Sequence, residues 1–448
     1  MRGSLFIGTG AVLVVSAFSI SGQATDKPPV GVYPLAVVDQ SEAAAAKVIY
    51  RDGAGADELV VVDQRVGGSE SNKTPGVDWS NLYVVRASLW DSPPDFLHHF
   101  GSVIHFEPHR FAVMQLRPEM VAQLSGLLHF EGMACGTLEK IDEHSIRLST
   151  GPTPVPILPV EEKIDEVAAI AAQVNSGNIQ NTIEKLSGLT TRYHSSETGK
   201  AVATTLAQDY ERYRAGREDV EISTFPHGSA TPQASLVVRI KGQTLPNEIV
   251  VLGSHIDSVS YDGFGGSGRS PGADDNASGT ATNLEVFRLL MAHGIRPERT
   301  IEIHGYAAEE IGLVGSKDMA QKYRAASKNV ISMVQHDMNI YKAAGTADKI
   351  WFVTNSTDAG LNEKLAKLVD HYAGVPWGMK VLTSGSSDHA SWTRQGYPAA
   401  FPFEDPASYN RHIHSQDDST ANAAAYSQAA AFAKLGFSYL VHFAGIER

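Results

Sequence analysis

The stretch IVVLGSHID, from Ile249 to Asp257, decides the fold. It begins with an apolar run of strand length, typical of a buried strand of an α/β protein. The run leads into His255 and Asp257, whose side chains share one face because residues two positions apart point the same way along a strand. Open α/β sheets bind ligands at the carboxyl ends of their strands. There His255 can bind a metal while Asp257 orients its ring, although such a pair taken alone is more often structural.

Strand and helix patterns alternate on both sides of this stretch. Predicted strands are Val220 to Phe225, Ser235 to Ile240, Ile249 to Gly253, Thr300 to Tyr306, Val330 to Gln335 and Ile350 to Thr354. Predicted helices are Ile164 to Val174, Thr182 to Leu189, Lys200 to Tyr213, Thr280 to Ala292 and Thr420 to about His442. The alternation indicates an α/β layer architecture for residues 162–448.

Composition narrows the kind of site that this fold can carry. The 448 residues are 42% hydrophobic and 19% charged, which is globular, and a net charge of -13 gives no electrostatic support for a nucleic acid or an anionic membrane as partner. Cys135 is the single cysteine, so an internal disulfide, a thiolate zinc site and an iron–sulfur cluster are excluded. Any bound metal must therefore be held by His, Asp and Glu.

The first 161 residues have a different texture. Residues 1–24 place Arg2 before an apolar run and end in small residues, which predicts a cleavable secretory signal; the alternative, a membrane anchor, needs about 20 apolar residues and the run is shorter. Residues 25–150 hold short β-rich runs and form either a propeptide or a permanent accessory domain. Residues 151–161 contain four prolines and predict an extended linker.

Two segments after the opening stretch carry acidic residues. In the turn Pro271 to Gly279, either Asp274 or Asp275 can bridge two cations, or the acids can simply cap the helix that follows. After the next strand, Glu309 and Glu310 point in different directions, so that one can ligate a metal while the other acts as general base. A surface acidic pair is the alternative to that reading.

Two more segments complete the set. The strand Val330 to Gln335 is followed by Asp337, and the loop before the last helix holds His412 and His414, which can chelate a metal or lie at the surface. Together the segments supply His, Asp, Glu, Asp and His from five loops, with one Glu to spare. This is the ligand inventory of a co-catalytic dizinc site.

The order of these motifs resembles that of the secreted bacterial dizinc leucyl aminopeptidases, a zinc metallopeptidase family. The matching segments are GSHIDS from Gly253, PGADDNASG from Pro271, AEEIGL from Ala308, HDM from His336, SDHASW from Ser387, and Ile413-His414. The similarity runs from about Val160 to near the end of the chain. It implies a central, mostly parallel mixed β-sheet flanked by helices, the phosphorylase/hydrolase-like α/β fold of zinc aminopeptidases, preceded by a smaller α+β N-terminal prodomain.

The resemblance also implies a role for individual residues. Five of them would hold two Zn²⁺ ions, with His255 and Asp337 on one, Glu310 and His414 on the other, and Asp275 rather than Asp274 as the bridge. Glu309 would be the general base and Asp257 the residue that orients a ligand, while His389 and His412 match no ligand position. The reaction would be attack on a peptide carbonyl by a hydroxide that bridges the two zinc ions.

The resemblance implies a substrate pocket as well. The matching apolar residues are Met338, Phe401, Phe403, Tyr409 and Ile413. They imply a preference for Leu-like N-terminal residues, although a plain core role fits Phe401 and Phe403 almost equally well. The loop Lys380 to Ser387 lacks the cysteine pair and the tyrosine that some relatives carry, so contacts to the transition state are expected to differ there.

The sequence thus predicts an exported metallo-aminopeptidase, secreted or periplasmic, monomeric, initially a zymogen, and acting on peptides with a free N-terminus. Three other functions are alternatives. A carboxypeptidase on the same fold would need a cation for the substrate carboxylate, for which Arg394 and Arg411 are candidates. A glutaminyl cyclase-like enzyme would use one zinc, and a non-catalytic binding ectodomain would have lost ligands, whereas all five are present.

Overall fold

A computed structural model describes residues 162–260, 268–382 and 386–446. Before them it describes 13–14, 35–37, 47–52, 59–63, 81–86, 95–107, 111–117, 120–121, 124 and 137–141. The predicted linker lies outside the described residues, as does the predicted signal apart from its residues 13–14. The domain boundaries at both places therefore stay predictions.

The described N-terminal segments form two antiparallel sheets. The first has the order β1-β2-β4-β3 and consists of β1 (Leu13–Val14), β2 (Leu35–Val37), β3 (Lys47–Asp52) and β4 (Leu59–Asp63). The second has the order β6-β7-β5-β8 and consists of β5 (Leu82–Arg86), the short helix α1 (Leu97–Phe100) ahead of β6 (Gly101–Glu107), β7 (Phe111–Leu116) and β8 (Thr137–Ile141). Tyr83, Phe100 and Met114 belong to a small core of this second sheet.

The chain from residue 162 onward is built around a mixed sheet with a smaller sheet beside it. Their strands are β9 (Val220–Phe225), β10 (Ser235–Ile240), β11 (Leu245–His255), β12 (Arg299–Tyr306), β13 (Asn329–Gln335), β14 (Ile350–Val353), β15 (Trp377–Lys380), β16 (Ala399–Ala400) and β17 (Pro402–Phe403). The central order is β16-β13-β11-β12-β10-β9, and the smaller sheet has the order β15-β14-β17. Strands β16, β13, β11 and β12 run parallel, whereas β10 is antiparallel to both β12 and β9.

Helices cover both faces of the central sheet. They are α2 (Asp165–Ala171), α3 (Ser176–Ser187), α4 (Glu197–Arg214), α5 (Gly279–Ala292), α6 (Val314–Ala325), α7 (Ala359–Leu368), α8 (His389–Arg394) and α9 (Tyr426–Ala444). Along β11, Val250 and Leu252 face a core shared with α2 to α5, α7 and α9, whereas Ile249 and Val251 face a second core with α6 and α8. From Ile249 onward both faces of β11 are buried, so the polar residues of this part can meet a ligand only at its carboxyl end.

The predicted α/β fold with a mostly parallel mixed sheet is confirmed, but three helix starts and one strand start were wrong. Strand β11 begins at Leu245 rather than at residue 249. Helix α4 begins at Glu197 rather than at residue 200, because the Ser196 side chain caps it by accepting a hydrogen bond from the Gly199 amide. Helix α3 begins at Ser176 rather than at residue 182, because the Asn175 side chain caps it by accepting a hydrogen bond from the Gly177 amide. Helix α9 begins at Tyr426 rather than at residue 420, because the Ala425 amide donates to the Ile340 carbonyl in a neighbouring loop. In the described part of the chain, no helix is both long and apolar enough to cross a membrane.

Candidate metal centre

The predicted ligands lie where three parallel strands end. His255 is the last residue of β11, Glu310 lies in a turn shortly after β12, and Asp337 follows β13 by two residues. The carboxyl ends of β12, β11 and β13 are side by side in the sheet, which brings these three side chains together. Asp275, from the turn before α5, and His414, from the loop before α9, complete the group.

The five side chains form two clusters that share one carboxylate. In the first, His255 Nε2 lies 2.9 Å from Asp275 Oδ1 and 3.3 Å from Asp337 Oδ1. In the second, His414 Nε2 lies 2.9 Å from Asp275 Oδ2 and 2.9 Å from Glu310 Oε2. Within each cluster the ligand atoms all lie within 4.8 Å of one another. Asp275 therefore presents one oxygen to each cluster, as a carboxylate between two cations would.

The chemistry of this donor set fits zinc. Imidazole nitrogen and carboxylate oxygen are ordinary zinc ligands. Among the described residues, His255 Nε2 and Asp337 Oδ1 are buried without a hydrogen bond, although they lie 3.3 Å apart. Burial raises the pKa of Glu310 to about 7, with the charge of Asp275 adding to the effect. Buried acceptors that converge in this way are stabilised by cations between them.

The electrostatics also single out the shared carboxylate. Burial acts to raise the pKa of Asp275, but hydrogen bonds and charge from His255 and His414 outweigh it and hold that pKa well below its usual range. Asp275 is therefore ionised, whereas burial favours the neutral form of Glu310. The neighbouring Asp274 faces elsewhere, since its Oδ1 accepts a hydrogen bond of 3.0 Å from the Ile340 amide.

Asp257 holds the turn that carries the two glutamates. Its Oδ1 accepts a hydrogen bond of 3.1 Å from the Glu309 amide, and its Oδ2 accepts one of 3.2 Å from the Glu310 amide. Asp257 Oδ1 also lies 3.3 Å from Nδ1 of His255. The Glu309 side chain is partly exposed beside the ligands, and desolvation raises its pKa well above the usual range despite the opposing charge of His255. One carboxylate thus connects a ligand with the adjacent candidate base.

The predicted pocket residues lie together beside the cluster. Met338, Phe401, Phe403 and Tyr409 are buried and pack with Val353, Leu382 and the partly exposed Ile413. Phe403 packs against both Phe401 and Tyr409, with ring centroids 5.0 and 5.9 Å apart. Met338 directly follows Asp337, which places this apolar group next to a metal ligand. The burial of Phe401 and Phe403 is compatible both with lining a pocket and with a plain core role.

The two remaining histidines stay outside the metal clusters. His389 is buried with its ring stacked on Phe401 at 4.6 Å, whereas His412 is exposed. Neither belongs to a group of side chains that could hold a metal in the described part of the chain.

Sequence reasoning missed three residues that support the ligands. Ser387 Oγ donates a hydrogen bond of 2.6 Å to Asp337 Oδ2. Asp418 accepts hydrogen bonds from the amides of Asp274 and Asp275, at 3.1 and 3.0 Å. The Arg192 guanidinium, fully buried, donates to backbone carbonyls that include those of Ile256, Pro271 and Gly272. Ser387 and Asp418 stand in segments that the motifs had marked, whereas nothing in the sequence marked Arg192.

Comparison with known proteins gives the class of enzyme, a zinc metallo-aminopeptidase, which is a hydrolase that acts on peptides. Residues 235–438 match the family model described as Peptidase family M28. Leucine aminopeptidase 1 of Fusarium vanettenii is 35% identical over 269 residues, which are 57% of this chain and 67% of that protein. Leucine aminopeptidase 1 of Blastomyces gilchristii is 34% identical over 295 residues, 63% of this chain and 75% of that protein.

Solved structures agree with these sequence relatives. The crystal structure of the LapA aminopeptidase of Legionella pneumophila superposes with a TM-score of 0.68 at 27% identity, and the match covers 82% of this chain and 99% of LapA. The chain belongs to peptidase family M28. The family resemblance and the hydrolase class expected from the motifs are confirmed.

Proposed function

We propose that this chain is an exported dizinc aminopeptidase that removes Leu-like apolar residues from the N-terminus of peptides. The observation that carries the proposal is the position of Asp275, whose two oxygens face two separate clusters of histidine and carboxylate at 2.9 Å. One ion would be held by His255 and Asp337, the other by Glu310 and His414. When bound, zinc ions supply Lewis acidity, which lowers the pKa of a water towards neutrality and polarises a carbonyl.

Glu309 is the general base in this proposal. Its backbone is fixed by Asp257, and it adjoins the ligand Glu310 without belonging to either metal cluster. A carboxylate within hydrogen-bond reach of the attacking water can accept its proton. The same carboxyl group then delivers this proton to the leaving amine as the peptide bond breaks. Glu309 thus acts first as base and then as acid.

The variant Glu309→Gln tests this role, because it removes the proton acceptor and keeps the shape of the side chain. We expect turnover to fall by at least about 10²–10⁴-fold, the usual contribution of a general base, while two zinc ions per chain remain in metal analysis. Glu363→Gln, on the exposed side of α7, is the matched control and should keep full activity. A Glu309→Gln enzyme that binds two zinc ions and retains most of its turnover would refute the assignment.

The apolar group next to Asp337 supports the preference for Leu-like residues. A substrate whose α-amine binds among the site carboxylates would extend its first side chain towards Met338, Phe403 and the neighbouring rings. We expect Leu-nitroanilide to be cleaved faster than the Lys and Glu derivatives, and N-acetyl-Leu-nitroanilide not to be cleaved. Faster cleavage of Lys or Glu would overturn the preference, and cleavage of the acetylated substrate would overturn the requirement for a free amine.

The N-terminal region is proposed to be a propeptide that follows an export signal, with a monomeric catalytic domain after it. In its support, the strands β5 to β8 have their own sheet and their own core, separate from the central sheet. A contact between the two parts is the hydrogen bond of 2.5 Å from Lys317 Nζ to the Lys140 carbonyl. N-terminal sequencing and size-exclusion chromatography of the active secreted enzyme test this. A start near residue 25 in the fully active form would refute processing.

A further inference from the structure

The turn after β12 is held by an unusual run of contacts. Four successive backbone amides, from residue 307 to residue 310, each donate a hydrogen bond to a side chain from another part of the chain. Asp257 receives the last two, as described above. The first two go to Ser235 and Gln233, neither of which belongs to a metal cluster. The backbone on both sides of residue 308 is thus fixed immediately before the two glutamates.

Gln233 connects this turn with the segment before α4. Its Oε1 accepts a hydrogen bond of 2.9 Å from the Ala308 amide, and its Nε2 donates to the carbonyls of Arg192 and Gly199, at 3.3 and 2.9 Å. The side chain is fully buried. Ala308 has a φ of 52°, in the left-handed region that costs an alanine energy. The Gln233 contact stabilises this conformation, which directs the following residue into the site.

Ser235 fixes the residue before. Its Oγ accepts a hydrogen bond of 3.0 Å from the Ala307 amide and lies 2.7 Å from His227 Nε2. On the other side of the ring, His227 Nδ1 lies 2.8 Å from Asp318 Oδ2. The imidazole therefore joins Asp318 of α6 to the Ser235 hydroxyl, which in turn holds the Ala307 amide. A chain of three hydrogen bonds therefore runs from α6 to the turn.

These three residues have the composition of a hydrolytic triad, but their placement excludes nucleophilic attack. Ser235 is 0% exposed, and its oxygen is occupied by a backbone amide. A serine nucleophile must reach a substrate carbonyl. The group Asp318, His227 and Ser235 therefore holds structure in place.

We infer that Gln233 and Ser235 are positioning residues for the reaction, which set the direction of Glu309 and Glu310 through the backbone of the turn. The inference rests on the proposed function, in which Glu309 is the base and Glu310 a ligand. A base must lie within hydrogen-bond reach of the proton that it takes, and a displacement of about 1 Å can cost about 10²-fold in rate. Loss of either contact therefore lowers the rate without removing any group that touches the metal or the substrate.

The test uses the variants Gln233→Met and Ser235→Ala in the full-length chain loaded with zinc. We expect kcat per zinc-loaded site to fall about 10–100-fold, with KM for Leu-nitroanilide within about twofold of wild type. Hydrogen–deuterium exchange of the peptide that spans residues 306–312 should become faster in both variants. Gln428→Met is the matched control. Gln428 lies on α9, is also buried, and bridges two backbone groups, the Tyr341 carbonyl and the Lys349 amide. It should lower the melting temperature and leave kcat unchanged.

The outcomes separate positioning from mere stability. If Gln233→Met and Ser235→Ala lower the melting temperature but keep wild-type kcat per zinc-loaded site, the inference is wrong. Loss of folded protein in both variants also counts against it, because a positioning role leaves the fold intact. Glu309→Gln is measured in the same series. An active Glu309→Gln enzyme would overturn the proposed function, whereas full activity of Gln233→Met beside an inactive Glu309→Gln would overturn the positioning role alone.

Discussion

Replacement of Asp257 by Asn gives the sharpest test of how the site is assembled. The carboxylate accepts hydrogen bonds from the backbone amides of Glu309 and Glu310, one on each oxygen, and its Oδ1 lies 3.3 Å from His255 Nδ1. Asparagine has nearly the same shape but keeps a single acceptor. Its amide nitrogen must face one of the two backbone donors, and the negative charge next to the imidazole is lost.

The size of the effect follows from these contacts. A buried donor left without an acceptor costs about 1–3 kcal/mol, and about 1.4 kcal/mol corresponds to a factor of ten in an equilibrium constant. Loss of the carboxylate that orients a ligating histidine usually lowers metal affinity about 10–100-fold. Both estimates converge on about one to two orders of magnitude. We therefore expect zinc affinity to fall about 10–100-fold, with a lower kcat because the turn with Glu309 is loosened.

Zinc affinity is measured by competition with a fluorescent chelator, and kcat at saturating zinc. Asp358→Asn is the matched control. Asp358 also accepts a backbone amide, that of Leu361 at 2.7 Å, but as the N-terminal cap of α7, where Asn serves nearly as well as Asp. It should leave both quantities unchanged. An Asp257→Asn enzyme with wild-type zinc affinity and kcat would refute the role given to this carboxylate.

Three further predictions concern the metal centre. Treatment with a strong chelator should abolish hydrolysis and lower the melting temperature. Zinc should restore both, whereas magnesium should not, because magnesium avoids imidazole ligands. Activity that survives complete zinc removal would contradict a metal-dependent reaction. Ser387→Ala removes the hydrogen bond to Asp337 Oδ2 and should weaken zinc binding about tenfold in the same chelator competition, with little change in urea stability. Arg192→Met leaves several buried carbonyls without donors, at a cost of about 1–3 kcal/mol each, so it should lower the free energy of unfolding by at least about 3 kcal/mol in urea titration. A loss below about 1 kcal/mol would contradict its structural role.

Much of the fold could be predicted because its signals are local. The strands β9, β10 and β11 are runs of β-branched and apolar residues, and β11 is buried on both faces as its continuous apolar pattern requires. The residues at the strand ends were predictable for the same reason. In open α/β sheets, ligand-binding residues lie where parallel strands end, so the sequence alone predicted that His255, Glu310 and Asp337 lie close together.

The supporting residues could not be predicted, because their partners are remote in sequence. Asp418 bonds amides more than 140 positions away, and Gln233 bonds an amide 75 positions away. No local sequence pattern links either residue to the amides that it holds. The choice between Asp274 and Asp275 has the same cause. Asp274 and Asp275 are neighbours in the same turn. The Ile340 amide, whose hydrogen bond directs the Asp274 side chain away from the metal ligands, is 66 positions away.

The metal centre also bears on the stability of the whole chain. Asp275 is buried within a few ångströms of Asp337 in one cluster and of Glu310 in the other, and burial raises the pKa of Glu310 to about 7. Among the described residues, Arg192 is the one buried arginine, and it donates to carbonyls rather than to these acids. His255 and His414 offset part of this negative charge, but the three acids still outnumber the two histidines. Cations at both clusters would relieve this repulsion, and a ligand at about 1,000 times its Kd stabilises a fold by about 4 kcal/mol. A chain with a single cysteine can form no internal disulfide, so bound metal would be the cross-link that holds the loops at this edge of the sheet together.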